Sequence, residues 1–358
     1  MSELKLGFGF YRHMLNETHY RFARQCGATH AVVHLVDYFR SDEEGRSNQP
    51  VGKSRWGLAG GSDDYWTVPA LTALKEEMAK HGLTVAAIEN FDPAHWHDVL
   101  LGGPKKAEQL EYLKQIVRNV GTAGIPAIGY NFSLAGVSSR VEGRFARGGA
   151  RSVGMEGVDE TPIPNGMVWN MVYDESAPAG CLPTIPHEVL WDRLGDFLEA
   201  LLPVAEEAGV RLAAHPDDPP APYVRGQPRL VYQPAMYQRL LNLDPSPSNA
   251  LEFCLGSLAE MTEGDIYETT RRHAKAGDIA YIHFRNVTGK VPQYRETFVD
   301  DGDIDMARIV DILVEARFDG VLIPDHTPLM ECDAPWYAGM AYAMGYMRAL
   351  LKQAENRP

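Results

Sequence analysis

The sequence predicts an α/β protein of the (β/α)8 barrel class. Short, nearly continuous apolar runs alternate with longer stretches of helical period, each kind occurs eight times, and glycines stand where most helical patterns stop. A doubly wound sheet uses similar units, but the count of eight favours the barrel.

The expected strands are 4–10, 31–36, 85–90, 127–132, 211–215, 251–255, 280–284 and 320–324. Their unbroken apolar character suits parallel strands buried on both faces. The clearest helices are expected over 68–80, 105–123, 187–208, 265–276, 304–316 and 336–353, with weaker patterns over 18–26 and 233–241. Thr18 and Asp303 are the expected N-caps, and Gly27, Gly82, Gly124, Gly209 and Gly277 the expected C-terminal stops. The whole chain, 1–358, reads as one barrel. Two connections, at about 37–67 and 133–186, are too long for ordinary βα loops. Both leave the C-terminal face, where barrel enzymes carry their active sites, and are read as walls or a lid; the plainer alternative is a partner interface or surface loop. Within the second, GMVWNMVYDES is expected to form a small hairpin.

The 358 residues include 48 acidic and 34 basic side chains, a net charge of −14. That balance argues against nucleic acid and against an anionic membrane surface. No apolar run is long enough to span a bilayer, the N-terminus has no signal-peptide pattern, and the four scattered cysteines fit a reducing cytoplasm.

The informative pattern lies at the strand ends. The last four strands finish in LAAHPDDPP, FCLGS, YIHFRN and LIPDHTP, placing His215, Cys254, His283 and Asp325 at or just past their C-terminal ends. Each is about one βα unit from the next, so in a barrel all four converge on one centre and form a candidate metal site. Singly, each reads as easily as a core histidine or a buried thiol. Matching positions in the first half carry Tyr11, Arg12, His13, His34, Glu89, Asn90 and Asn131, where loop anchoring is the plain alternative. Asp217 and Asp218 form either a turn or a layer behind the ligands.

Taken together, HPDDPP, the following Gly226-Gln227-Pro228-Arg229, C-x-G-S at Cys254, H-x-R at His283 and PDH at Asp325 resemble the mannonate dehydratase family. Ile88-Glu89-Asn90, Gly129–Phe132 and Gly302–Asp305 are similar to it too. Leu255, Ile323 and Thr327 depart from its usual pattern. The resemblance implies a xylose-isomerase-like TIM barrel that dehydrates D-mannonate to 2-keto-3-deoxy-D-gluconate. It implies His215, Cys254, His283 and Asp325 as ligands of Mn²⁺, with Fe²⁺ the alternative. Tyr337 matches the family's catalytic tyrosine.

Such a reaction needs loss of the C2 proton, stabilisation of an enediolate and protonation of the departing C3 hydroxyl. Asp325 and Tyr337 are the expected acid/base pair, with His326 a second candidate acid. Arg285 is expected to fork onto the substrate carboxylate, with Asn131, Asn90 and Arg12 as further substrate contacts. The expected partners are a small sugar acid and copies of the chain itself, with neither nucleic acid nor membrane. A metal-dependent sugar isomerase or epimerase on the same barrel is the alternative activity, and a non-catalytic sugar-acid or metal-binding protein the alternative class.

Overall fold

The computed structural model describes residues 4–38 and 57–355. Eight parallel strands close a barrel: β1 Lys5–Phe10, β2 His30–Val33, β3 Thr84–Glu89, β4 Ala127–Tyr130, β5 Arg211–Ala214, β6 Asn249–Cys254, β7 Ile279–His283 and β8 Val321–Ile323. They follow one another around the ring, and β8 returns to β1 through the Lys5↔Val321 and Leu6↔Leu322 pairs. Eight outer helices complete the units: α1 Glu17–Gln25, α2 Val68–Lys80, α3 Lys106–Thr122, α4 His187–Ala208, α5 Ala235–Leu243, α6 Ile266–Ala276, α7 Met306–Glu315 and α8 Pro335–Glu355.

Alternation along the strands divides the core. Val33, Ile88, Ile128, Leu212, Leu251 and Ile282 belong to the large cluster that packs with the helices. Their alternate neighbours Val32, Ala87, Ala127, Ala213, Ala250 and Tyr281 form a separate small cluster inside the ring. Four consecutive strands contribute alanine there, which leaves room for the larger Tyr281. Among the described residues, no helix is long and apolar enough to cross a membrane.

The expected helix stops are present, with Gly27, Gly82, Gly124, Gly209 and Gly277 all at positive φ. Two N-caps differ from expectation. Asn16, not Thr18, caps α1 by accepting from the His19 amide, and Asp305, not Asp303, caps α7 by accepting from the Arg308 amide. Asp303 accepts instead from the Gly289 amide at 2.8 Å, tying down a hairpin after β7. Strand ends also differ. β2, β4 and β5 stop before His34, Asn131 and His215, which line the barrel mouth, although the His34 and His215 amides still donate to Phe10 and Tyr130 of the neighbouring strands, each at 2.8 Å.

The long connections are structured where described. After β4, Val141–Ala146 and Ala150–Glu156 form a hairpin. It joins a second hairpin, Val287–Lys290 with Gln293–Glu296, in a four-stranded antiparallel sheet. The expected GMVWNMVYDES hairpin pairs Met167–Val168 with Met171–Val172, and Gly57–Leu58 adds a third strand. Of the 37–67 connection, residues 39–56 lie outside the described residues.

Candidate metal centre and active site

A cavity opens at the C-terminal mouth of the barrel. His215, His283, Asp325 and His326 line it together with Tyr11, His34, Glu89 and Asn90, and the stacked rings of Tyr38 and Trp169 form an aromatic wall beside Val137.

Of the four expected ligands, His215, Cys254 and His283 bring donor atoms within 4.8 Å of one another. Asp325 joins them, with Oδ2 3.8 Å from Cys254 Sγ and 3.7 Å from His283 Nδ1. The surroundings aim each donor. Pro216 O lies 2.6 Å from His215 Nδ1, leaving Nε2 as its remaining ring nitrogen. Glu89 and Glu252 hold His283 Nε2 at 3.2 and 3.1 Å, while His283 Nδ1 is buried with no hydrogen-bond partner. A buried orphan nitrogen is costly unless something binds it. Two imidazoles, each with its other nitrogen held by a carbonyl or carboxylate, beside a thiolate and a carboxylate, form a donor set and outer layer that fit a divalent transition metal.

The C-x-G-S motif acquires a reason for each residue. Cys254 ends β6 and caps the short helix Leu255–Glu260; its sulfur accepts from the Ser257 amide at 3.4 Å and the Ser257 hydroxyl at 3.3 Å. A Cβ on Gly256 would stand 2.0 Å from Arg285 Nε, so only glycine lets that side chain pass. Burial pushes the Cys254 thiol up, but Arg285, His215 and His283 overcome it and bring its pKa down to about 5. Burial likewise opposes charge on His215, yet Glu252 and the Cys254 sulfur raise its pKa to about 9.

Three expected site residues lie away from the cavity lining. Arg285 does not reach the cavity. It lies buried behind it, its terminal nitrogens 2.8 Å from Asp218, 3.2 Å from Glu260, 3.3 Å from Glu296 and 3.2 Å from Asp325. Four acidic side chains occupy the fork, which leaves it facing them and not the cavity. Tyr337 also lies off the cavity. Trp336 and Met340 of α8 face it, whereas Tyr337 packs edge-on against Phe22 and meets His19 Nε2 at 3.1 Å. One residue on a helix turns a side chain by about 100°, enough to exchange cavity for flank. Arg12 stacks on the Tyr65 ring at 4.2 Å and does not line the cavity.

His326, Asn90 and Asn131 do line it. His326 is held between Glu296 at 2.9 Å and Asp325 Oδ1 at 2.8 Å, which fixes the aspartate's orientation. Asn131 is committed to the framework: its amide donates to the His215 and Pro216 carbonyls, and its oxygen accepts from the Trp169 indole at 3.0 Å. HPDDPP divides in two. Asp217 is the turn anchor, accepting from Arg229 at 3.0 Å and from the Leu230 and Val231 amides. Asp218 lines the cavity, with Oδ2 clamped by Arg140 and Arg285 and Oδ1 buried without a hydrogen-bond partner. Burial opposes its charge, but the two guanidiniums hold it well below the usual carboxylate range.

Sequence reasoning missed the aromatic wall. Trp169 and Asn170 form the hairpin tip with φ of 53° and 58°. Two-residue hairpins favour that conformation, but a tryptophan adopts it at a cost of about 1–3 kcal/mol. Surrounding contacts fix the tip: the Trp169 amide donates to Leu134 O at 2.8 Å, and Asn170 bonds Val137 O and Arg225, each at 3.1 Å. Tyr38 stacks on Trp169 with ring centroids 5.7 Å apart. Tyr11, whose plain reading is a loop anchor, is a cavity residue. Its hydroxyl is kept protonated by burial and by the Asp325 and Glu89 charges, all of which raise its pKa.

Comparison with known proteins identifies the family. The D-mannonate dehydratase (UxuA) family matches residues 58–142 and 180–357. A mannonate dehydratase of Streptococcus pneumoniae is 34% identical over 318 residues, covering 82% of this chain and 85% of its own. Mannonate dehydratase 2 of Halalkalibacterium halodurans is 31% identical over 298 residues, covering 78% and 85%. The crystal structure of mannonate dehydratase from Streptococcus suis serotype 2 superposes with a TM-score of 0.77 at 29% identity, covering 99% of this chain and 94% of its own. A xylose isomerase domain protein from Planctomyces limnophilus, at 13% identity and a TM-score of 0.60, shares the fold. This chain belongs to the mannonate dehydratase family, built on a xylose-isomerase-like TIM barrel.

Proposed function

We propose that this protein is a metal-dependent hydro-lyase that converts D-mannonate to 2-keto-3-deoxy-D-gluconate and water. The observation that carries the metal dependence is the convergence of His215, Cys254, His283 and Asp325, with His283 Nδ1 buried and orphaned among them. These four would hold the ion, Mn²⁺ first and Fe²⁺ as the alternative. A bound divalent ion supplies Lewis-acid polarisation of substrate oxygens.

The chain's own groups divide the remaining work. Tyr11 keeps its proton and is the donor to the departing C3 hydroxyl, in place of Tyr337. Asp218, clamped by two guanidiniums, is too weak a base to strip a carbon-bound proton. His34 lies in the cavity, 3.2 Å from the Tyr38 hydroxyl and 3.5 Å from Glu89. Burial pushes its pKa below the ordinary value against the pull of Glu89, so it is neutral at pH 7 and is the proton acceptor for C2. His326 holds Asp325 in place.

Incubation of the Mn²⁺-loaded protein with D-mannonate, followed by assay of a 2-keto-3-deoxy acid, tests the reading. The expected product is lighter than the substrate by the mass of one water. An isomer of unchanged mass would replace the dehydratase with an isomerase or epimerase, and binding without turnover would replace it with a binding protein.

A further inference from the structure

Of the four expected ligands, Asp325 is the one the barrel ladder holds least. Cys254 and His283 end β6 and β7 as a paired register position, and the His215 amide still bonds the Tyr130 carbonyl. Asp325 stands two residues past the end of β8. A carboxylate there turns about its own side-chain bonds unless something outside the ladder aims it. That aim comes from the four-stranded antiparallel sheet. Glu296, the last residue of the Gln293–Glu296 strand, is 3% exposed and reaches His326 Nδ1 with Oε2 at 2.9 Å. The other ring nitrogen, His326 Nε2, lies 2.8 Å from Asp325 Oδ1. With Oδ1 taken, Oδ2 is the oxygen left toward His283 and Cys254, at 3.7 and 3.8 Å. The same sheet grips the segment again at Leu329, whose amide donates to Arg151 O at 2.8 Å.

The hairpin that carries Glu296 is locked at its base. The buried Asn286 donates to the Val299 and Ile304 carbonyls at 3.1 and 2.9 Å, and its oxygen accepts from the Val287 and Ile304 amides at 3.0 and 3.1 Å. Gly302 makes room for that side chain, because a Cβ there would lie 2.1 Å from Asn286 Oδ1. Asp303 holds the Gly289 amide at 2.8 Å, within the hairpin itself. The Gly302–Asp305 motif has no task in the chemistry above; its first three residues fix this hairpin and its last caps α7.

We propose that Glu296 is a positioning residue for the metal ligand Asp325, acting through the His326 ring, and that Gly302–Asp305 serves the site by holding the hairpin that carries it. Its bearing on an ion rests on the metal-dependent reading of the site; the aiming of Asp325 rests on the sheet. Glu296 Oε1 also lies 3.3 Å from Arg285 and 3.6 Å from Arg140, so balancing those charges is the rival role. One carboxylate oxygen serves His326 and the other the guanidiniums. A glutamine, with a single acceptor oxygen, serves only one of them.

The affinity of the full chain for Mn²⁺, measured by competition with a chelator, reads the effect. Glu296→Gln and His326→Asn are each expected to weaken Mn²⁺ binding by about 10- to 100-fold, as loss of a ligand's outer support does. Because Glu296 acts through His326, the double variant should bind no more weakly than His326→Asn alone. Losses that multiply in the double variant, or wild-type affinity in Glu296→Gln, make Glu296 a charge partner of the arginines and overturn the proposal. Asp303→Ala frees the Gly289 amide and should weaken binding a few-fold, whereas Asp303→Asn keeps an acceptor oxygen and should restore it. Asp303→Ala replaces Glu296→Gln in the cycle should that variant fail to fold, and wild-type affinity in it overturns the motif's part. Should the wild type bind neither Mn²⁺ nor Fe²⁺, the metal-dependent reading fails, and crystal structures of wild type and Glu296→Gln decide the positioning. An Asp325 carboxylate turned away from His283 in the variant sustains it; an unmoved one overturns it.

Discussion

The two halves of the cavity are built by different means. The half that would hold a metal, the metal half, takes one side chain at or just past the end of each of four successive strands, β5 to β8, and a buried layer of charge surrounds those side chains. The aromatic half depends on loop excursions after β2 and β4, and its parts meet through a hairpin, an asparagine bridge and ring stacking. The first arrangement fixes donor positions with the stiffness of the barrel, as a metal demands. The second fixes a shape, which can differ between relatives while the reacting end stays the same.

Substitutions can break or sharpen this contrast. The largest effect is expected in the metal half. Cys254→Ser should lose bound metal and about 10³-fold or more in kcat, since a hydroxyl is a poor substitute for a thiolate and the ion supplies several kcal/mol. Cys181→Ser and Cys332→Ser, both exposed, should retain metal by elemental analysis. Full metal content in Cys254→Ser would remove the thiolate from the site.

Tyr11 tests the seam between the halves. Tyr11→Phe should lower kcat by about 10²–10³ with normal metal content, as expected for removal of a proton donor. A wild-type rate would send the search for the acid back to His326.

Arg285 tests whether the charged layer acts through stability. Arg285→Met leaves buried carboxylates uncompensated and should cost about 3–5 kcal/mol, read as a lower melting temperature. The pH dependence has a definite sign. Asp218 titrates lower when folded than its unfolded value near 4, so the stabilisation is complete above about pH 4 and is lost as pH falls through the folded value. The gap in melting temperature between wild type and Arg285→Met should therefore narrow in acid. A raised KM with an unchanged melting temperature would instead return Arg285 to the substrate carboxylate.

The smallest effects belong to residues the fold keeps out of the cavity. Tyr337→Phe and Arg12→Ala should each stay within a few-fold of wild-type kcat/KM, because one packs against Phe22 and His19 and the other stacks on Tyr65. A loss of about 10² in Tyr337→Phe would mean that α8 starts differently when substrate is bound.

The sequence by itself determined the barrel and the four convergent donors. Both follow from local rules: apolar runs and glycine stops mark the units, and the C-terminal end of a barrel strand has one direction to face. HPDDPP, C-x-G-S, H-x-R and PDH are therefore legible as strings, because each donor lies at a strand end that the pattern already locates. Only the tertiary structure decided what Arg285, Tyr337 and Trp169 do. Arg285 is two residues past His283, yet Asp218, Glu260, Glu296 and Asp325 compete for it from four other segments, and no local pattern reports that competition. Tyr337 and Trp336 are adjacent, and the packing of α8 on Phe22 chooses which one faces the cavity. Trp169 sits in a hairpin that the sequence does announce, but its indole reaches the cavity because Asn131, Gly136 and Arg225, distant along the chain, meet beneath it. Strand ends inherit their direction from the barrel, whereas long excursions acquire theirs from contacts made only after the chain has folded.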